Sequence, residues 1–343
     1  MTVYTTRLGG SDWVDGDILY AADQNDTISA AVTNTWTKYR PFDNYLGKGL
    51  VKFSSTIWQT AAKRSTDAGA NWSWGGYNAV GTEDIAFNSG LQGIAFDRSD
   101  GSASFSVDGG SWTISSTQPG NVSTINAGHL FSTTIGACGG TAASGNYIWY
   151  TSNGGDDWTQ ATTGPTTEVT AIVMASATVG YAVDLGKSIW KTTDAGANWT
   201  DTTANLGTDT RAIIAIDADT ILASGNRLPI VMKYVNSTNT VTALGNSGIS
   251  SSTNAFTNWI KSTNGNYYTL MWIGSVNELG FFYLFKYDGT NLFAKVLPQT
   301  YTDNANTGWM ADSVSVIPSL IEESNILYVN MSTNVLEIDI REA

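Results

Sequence analysis

The chain has 343 residues and a formal net charge of −13, with 17 Lys and Arg against 30 Asp and Glu. That balance, with no basic run, excludes a nucleic-acid backbone as partner, and 13 Trp and 15 Tyr supply too much apolar area for a disordered chain. Gly at 35 residues, abundant Thr, Ser and Asn, and only 14% charged residues predict an all-β fold of short strands and polar turns.

Residues 1–40 differ in character from the rest of the chain. An extended stretch turns at Gly9-Gly10, and a helix is predicted from about Ala21 to Thr35. Leu19, Ala22, Ile28, Ala31 and Val32 give it an apolar face at spacings of three and four. Asp23 and Asp26 fall in the first turns, where negative charge suits the helix dipole. The run Trp13-Val14-Asp15-Gly16-Asp17-Ile18-Leu19, followed by Ala21-Ala22-Asp23-Gln24-Asn25-Asp26, resembles the W-x-D-G-D-x-L-x-A-x-D-L-N-D segment of many tailed-phage tail fibre and other virion structural proteins. Gln24 stands where that family has Leu, and the likeness spans about 20 residues. It implies a virion-docking arm at 1–40, with Trp13, Asp15, Gly16, Asp17, Leu19, Ala22 and Asn25 as docking residues. A helix that caps one face of the adjoining domain is the plainer reading, and the two are compatible.

From about Phe42 onward, short alternating runs recur between turns, as strands do. LVKFSS and TIWQTA open a first unit at 43–81; DIAFNS, GIAFDR and ASFSVD fill 82–119; HLFSTTIGACG and YIWYTS fill 120–164; EVTAIVMAS, VGYAVD and SIWKTTD fill 165–207. Each unit carries one copy of a short string: STDAGANW at 65–72, SVDGGSW at 106–112, TSNGGDDW at 151–158 and TTDAGANW at 192–199. Their starts are 41, 45 and 41 residues apart, the period of a four-stranded propeller blade. The rhythm continues without the string through RAIIAID, TILASG and IVMKYV, then WIKST, YYTLMWIG and FFYLFKYDG, with KYDGTNLF at 286–293 as a worn copy. SVSVIP, NILYVN and VLEIDI complete one more unit. The predicted fold is an all-β propeller over 41–343 of six or seven blades, the repeat length favouring seven, preceded by the short arm and its helix. An open sheet edge invites aggregation, so TVYTTRL at 2–8 or the final VLEIDI is predicted to close the ring.

The string matches the Asp-box, [S/T]-x-D-x-G-x-x-W, and resembles the hairpin of sialidases, sortilin-type receptors and propellers related to photosystem assembly factors. Asp67, Asp108, Asn153 and Asp194 are expected to accept turn amides. Gly69, Gly110, Gly155 and Gly196 are expected to take positive φ, and Trp72, Trp112, Trp158 and Trp199 to fold over the hairpin. The second copy is one residue short between Gly and Trp, so its turn is expected to differ. In the resembling families the boxes lie at the blade periphery, so these residues are structural.

Sialidases hold a carboxylate with three Arg from separate blades, plus an R-I-P motif in the first blade. Arg7, Arg40, Arg64, Arg98, Arg211, Arg227 and Arg341 do not supply that order; Arg227-Leu228-Pro229 lies mid-chain and one Arg follows it. With one His, His129, and one Cys, Cys138, the usual zinc ligands are lacking, and Cys138 reads as a small buried residue. No P-loop and no G-x-S-x-G elbow is present. Glu83, Asp84, Asp97 and Asp100 are the carboxylates a polysaccharide-cleaving enzyme would draw on, and solvated surface is the plainer reading. No catalytic residue, cofactor or metal is therefore assigned, and no enzymatic activity is expected. No basic-then-apolar N-terminal run and no stretch of about 20 apolar residues occurs, so neither a cleaved signal nor a membrane span is expected.

The resulting expectation is a virion structural protein of a phage-like particle, located at the surface of tail or capsid. Its arm would contact other virion proteins, and its propeller would attach to a host glycan or surface receptor, or decorate the particle. Several copies, a trimer by analogy with fibres, would add weak affinities. Exposed aromatics among Trp74, Tyr77, Trp149, Trp190, Trp259, Trp272 and Trp309 would stack on sugars, most of them being core instead. A cellular propeller that scaffolds complex assembly and a polysaccharide-acting enzyme are the alternatives.

Overall fold

Val, Ile, Tyr and Trp alternate with Thr and Ser along runs of two to nine residues, and these runs pair into seven antiparallel sheets. The computed structural model of the chain describes residues 37–41, 50–60, 63–75, 85–97, 100–225, 230–245, 255–256, 258–273, 281–296, 320–330 and 334–340. No helix occurs among them, and so none long and apolar enough to cross a membrane. The expected arm and its helix at 21–35 lie outside the described residues.

Each sheet is one blade, its strands running in order outward from the ring axis. Blade 1 is Val51–Lys52, Trp58–Gln59, Lys63–Ser65 and Ser73–Trp74, and blade 2 is Ile85–Ser89, Gln92–Phe96, Ala103–Ser106 and Thr113–Ile114. Blade 3 is Val122–Leu130, Gly136–Ala142, Ile148–Thr151 and Thr159–Gln160, so HLFSTTIGACG is two strands and a turn rather than one run. Blade 4 is Val169–Met174, Gly180–Asp184, Ser188–Thr192 and Thr200–Asn205, and blade 5 is Thr210–Ala215, Thr220–Gly225, Val231–Val235 and Thr240–Gly245. Blade 6 has a broken first strand, Ala255–Phe256 and Ile260–Lys261, then Tyr267–Ile273, Phe281–Tyr287 and Leu292–Val296.

Blade 7 closes the ring. Leu320–Glu323, Ile326–Asn330 and Asn334–Asp339 are its first three strands, and Thr37–Pro41 from the start of the chain is the fourth, paired from Thr37 with Ile338 to Pro41 with Asn334. The last strand, expected as one of two candidates for closure, is thus the partner of the closing strand. SVSVIP lies outside the described residues. Blades 7 and 1 are joined by Trp58 edge-on to Tyr328 at 4.6 Å and by the Lys52 ammonium, which donates to the Glu322 carbonyl at 2.7 Å. Four further seams are closed by side chains, by Phe53 with Trp112, Phe96 with Trp158, Tyr181 with Tyr234, and the Trp259 indole donating to the Ser224 hydroxyl at 3.1 Å.

Two kinds of turn share one face of the ring. Inner turns join first to second strands, and outer turns join third to fourth. Amide-to-carbonyl bonds tie them within a blade: Ala68 to Thr56, Gly154 to Thr134, Ala195 to Thr178 and Asn236 to Asp219, at 2.8–3.0 Å. In blades 1, 3, 4 and 5 the inner turns repeat too. Ser54, Ser132 and Ser176 accept through Oγ from the amides two and three residues on, and Asp217 does so through its carboxylate.

Candidate functional site

The outer turns of blades 1 to 4 carry the repeated string. Ser65, Thr151 and Thr192 each donate a hydroxyl proton to the residue two positions on, and their oxygens accept from the amides of Gly69, Gly155 and Gly196 at 2.8–3.1 Å. Asp67 Oδ1 accepts from the Asn71 amide, and its Oδ2 from the Asn71 side chain. Asp194 and Asn198 repeat that pair. The third copy exchanges the two residues: Asn153 Oδ1 accepts from the Asp157 amide, and Asn153 Nδ2 donates to Asp157 Oδ2 at 2.8 Å. The amide–carboxylate pair survives with its ends reversed.

Positive φ falls on Ala68 and Gly69, on Gly154 and Gly155, and on Ala195 and Gly196. In the shortened second copy it falls on Gly109 and not on Gly110, because Asp108 there caps the amides of Gly110 and Ser111 directly, at 2.8 and 2.7 Å. Those two backbone bonds hold the Asp108 carboxyl down at about 2. The hydrogen bonds from Asn71 and Ser65 lower that of Asp67. At Asp194 burial pushes upward, and the bonds from Asn198 and Thr192 together outweigh it.

The Trp that ends each string enters the seam toward the preceding blade. Trp72 packs with Leu50, Trp58 and Tyr328, Trp112 donates to Gln59 Oε1 at 3.2 Å, Trp158 lies edge-on to Phe96 at 5.1 Å, and Trp199 is buried with Ala161 and Ile148. The glycines press on that blade too: a Cβ at Gly155 would come within 2.4 Å of Ile94, and one at Gly110 within 2.6 Å of Arg64.

Blade 5 departs from this pattern, and its seam with blade 4 opens into a groove of about 320 Å³. The residue before the fourth strand is Trp in blades 1 to 4 and Asn239 in blade 5. The inner part of the seam is closed by Tyr181 and Tyr234, ring centroids 6.1 Å apart. Burial, and then the nearby Asp219, raises the Tyr181 hydroxyl above its ordinary range, and burial does the same for Tyr234, so both stay proton donors. Tyr181 donates to the Ala218 carbonyl and Tyr234 to Asn239 Oδ1, at 2.8 and 3.1 Å.

The fourth strand of blade 4 bulges at the groove. Trp190 pairs with Asp201 but Ser188 with Asn205, so the strand carries surplus residues between them. Thr203 in this bulge has φ +66°, a conformation that costs a β-branched residue about 1–3 kcal/mol. It is held by its amide on Asp201 Oδ1 at 2.7 Å and by Asn239 Nδ2 on its hydroxyl at 3.3 Å. Lys191, over the Tyr181 ring at 5.7 Å, forms no ion pair among the described residues. The sequence reading missed this site, whose signal is the place where the string first fails.

The other expected site residues separate. Trp13, Asp15, Gly16, Asp17, Leu19, Ala22 and Asn25 lie outside the described residues, as do Tyr77, Trp309, Glu83, Asp84 and the side chains of Trp74 and Trp272. Trp149 and Trp259 are buried core, and half-buried Trp190 donates to Asp184 Oδ2 at 3.0 Å. Asp97 is buried, and Asp100 accepts from the Ser102 amide at 2.8 Å. Cys138 is buried, and burial pushes its thiol up. No cluster of three His, Cys, Asp or Glu that could hold a metal occurs among the described residues.

No family model and no curated protein matches the sequence. Solved structures match in fold. YCF48 bound to a D1 peptide is 10% identical with a TM-score of 0.55, the match covering 89% of this chain and 97% of that one. A GH74 enzyme from Niastella koreensis is 16% identical with a TM-score of 0.61, covering 90% of this chain and 54% of that one. The GH74 xyloglucanase from Xanthomonas campestris is 14% identical with a TM-score of 0.53, covering 88% and 44%. The chain thus spans about half the length of the GH74 structures.

These likenesses correct the expectation of no enzymatic activity. It rested on the missing sialidase arginines and on the lack of other catalytic motifs, and the same fold occurs in GH74 enzymes, a xyloglucanase among them. The fold is shared by enzymes, by YCF48 and by WD40 proteins.

Proposed function

We propose that the chain is a virion structural protein, fixed to a phage-like particle by its N-terminal segment and displaying its propeller for attachment to a host surface or glycan. The observation that carries this reading is the position of Thr37–Pro41 as the outermost strand of blade 7. The tail-fibre-like run at 13–26 ends 11 residues before Thr37, which pairs with Ile338 at the outer edge of blade 7, so a tether starting there joins the propeller at its rim and not at its axis. Its partners are other virion proteins, and several copies on one particle add weak affinities by effective concentration. The test is mass spectrometry of purified particles from the source lysate. Peptides of this chain at a stoichiometry comparable to other structural proteins are expected, and their absence from the particles rejects the reading.

A second reading, a scaffold that grips an extended peptide during complex assembly, is favoured by the near end-to-end match with YCF48, which was solved bound to a D1 peptide.

A further inference from the structure

We propose that the open seam between blades 4 and 5 is a binding site for a neutral saccharide unit. The choice of a surface glycan as ligand rests on the proposed attachment function; the site itself rests on the geometry. In blades 1 to 4 an indole fills the corresponding seam, and with Asn239 in its place the space stays open. At about 320 Å³ it lies at the small end of the roughly 300–1,000 Å³ of ligand pockets.

The walls offer unspent hydrogen-bonding groups. Asp201 uses Oδ1 for the Thr203 amide, and its Oδ2 accepts nothing among the described residues. The Lys191 ammonium lies over the Tyr181 ring with its charge near Asp219 and makes no ion-pair contact among the described residues, and the hydroxyls of Thr193 and Thr200 make no hydrogen bond there. A carboxylate oxygen, an ammonium and two hydroxyls on the walls of one groove match sugar hydroxyls, each of which donates and accepts. The charge selects against anionic ligands, since one cation, Lys191, faces two carboxylates, Asp194 and Asp201. Asp194 is already occupied by Thr192 and Asn198 and serves as wall. The strained Thr203 fixes the bulge that carries Asp201, and strain of this kind collects at ligand clamps.

The experiment is titration of the full chain with methyl glycosides of glucose, galactose, mannose and N-acetylglucosamine, and with sialyllactose as the anionic control, by calorimetry and ligand-observed NMR. A neutral glycoside is expected to bind in preference to sialyllactose. Asp201→Ala and Lys191→Met are each expected to weaken it about ten-fold, the loss of one hydrogen bond to a charged group. Asn239→Trp, which restores an indole to the seam, is expected to abolish binding without lowering the thermal midpoint. If Asn239→Trp does not fold, the decision falls to the other two variants. Failure of every neutral glycoside to bind, equal binding of sialyllactose, or binding that survives the substitutions overturns the proposal. Loss of saccharide binding with normal incorporation into particles counts against this site alone, whereas binding by a chain absent from particles counts against the virion reading alone.

Discussion

At the scale of single residues, the exchanged pair Asn153 and Asp157 shows that the full-length outer turn accepts one amide and one carboxylate four positions apart in either order. Asn153→Asp alone sets two carboxylates against each other and is expected to lower stability by about 0.5–1 kcal/mol. Asp157→Asn added to it rebuilds the arrangement of Asp67 and Asn71 and is expected to restore stability. Urea denaturation of the two variants reads this directly; equal stability of the single and double variants would show that the pair is not coupled.

His129 sets a second residue-level expectation. It sits at the end of the first strand of blade 3, and its Nδ1 accepts from the Met174 amide at 3.3 Å, which requires the unprotonated form of that nitrogen. Burial lowers its pKa from 6.5 to about 4. Because the folded value lies below the unfolded one, the stabilisation is complete above pH 6.5 and is lost as pH falls toward 4, by at most about 3 kcal/mol. Asp108, held at about 2, adds a further loss only below its ordinary 3.8. Stability measured against pH is expected to decline between 6.5 and 4 in the natural chain, and His129→Asn is expected to flatten that window while leaving the steeper loss below it. An unchanged slope in the variant would assign the decline elsewhere.

At the scale of elements, the outer turn is a joint between blades. Trp158 is buried against Phe96 of the preceding blade, and a Cβ on Gly155 would meet Ile94. Trp158→Ala is expected to cost about 3–5 kcal/mol in urea unfolding, as a large buried ring does. Gly155→Ala is expected to destabilise too, from φ +99° and from the contact together. A change under about 0.5 kcal/mol in Trp158→Ala would mean that the seam does not depend on the indole. This joint was legible in the sequence because its constraints are local: a tight turn needs its Asp and Gly at fixed spacing. The inner turns at Ser54, Ser132, Ser176 and Asp217 were not legible, although they repeat too. Their requirement is only a short oxygen acceptor, which Ser or Asp meets equally, so no invariant string results.

At the scale of the molecule, the repeat period limited the blades to six or seven, and seven sheets form, but it did not give the closing strand. Any short alternating run near either end satisfies the sequence criteria, and what selects Thr37–Pro41 is pairing with Asn334–Asp339, some 300 residues away. The groove was illegible for the complementary reason, since it arises from what blade 5 lacks. Removing residues 1–36 keeps the closing strand, whereas removing 1–41 bares the edge of Asn334–Asp339. The shorter deletion is expected to leave the thermal midpoint within a few degrees, and the longer one to lower it markedly or cause aggregation. Equal behaviour of the two by calorimetry would mean that the ring does not depend on its fourth strand in blade 7.

The most direct measurement is the amount of the chain lacking residues 1–36 that enters particles, relative to the full chain, when both are produced alongside the other virion proteins. A folded deletion variant that retains its propeller and is absent from particles is the expected result. Full incorporation of that variant would contradict attachment through the N-terminal segment.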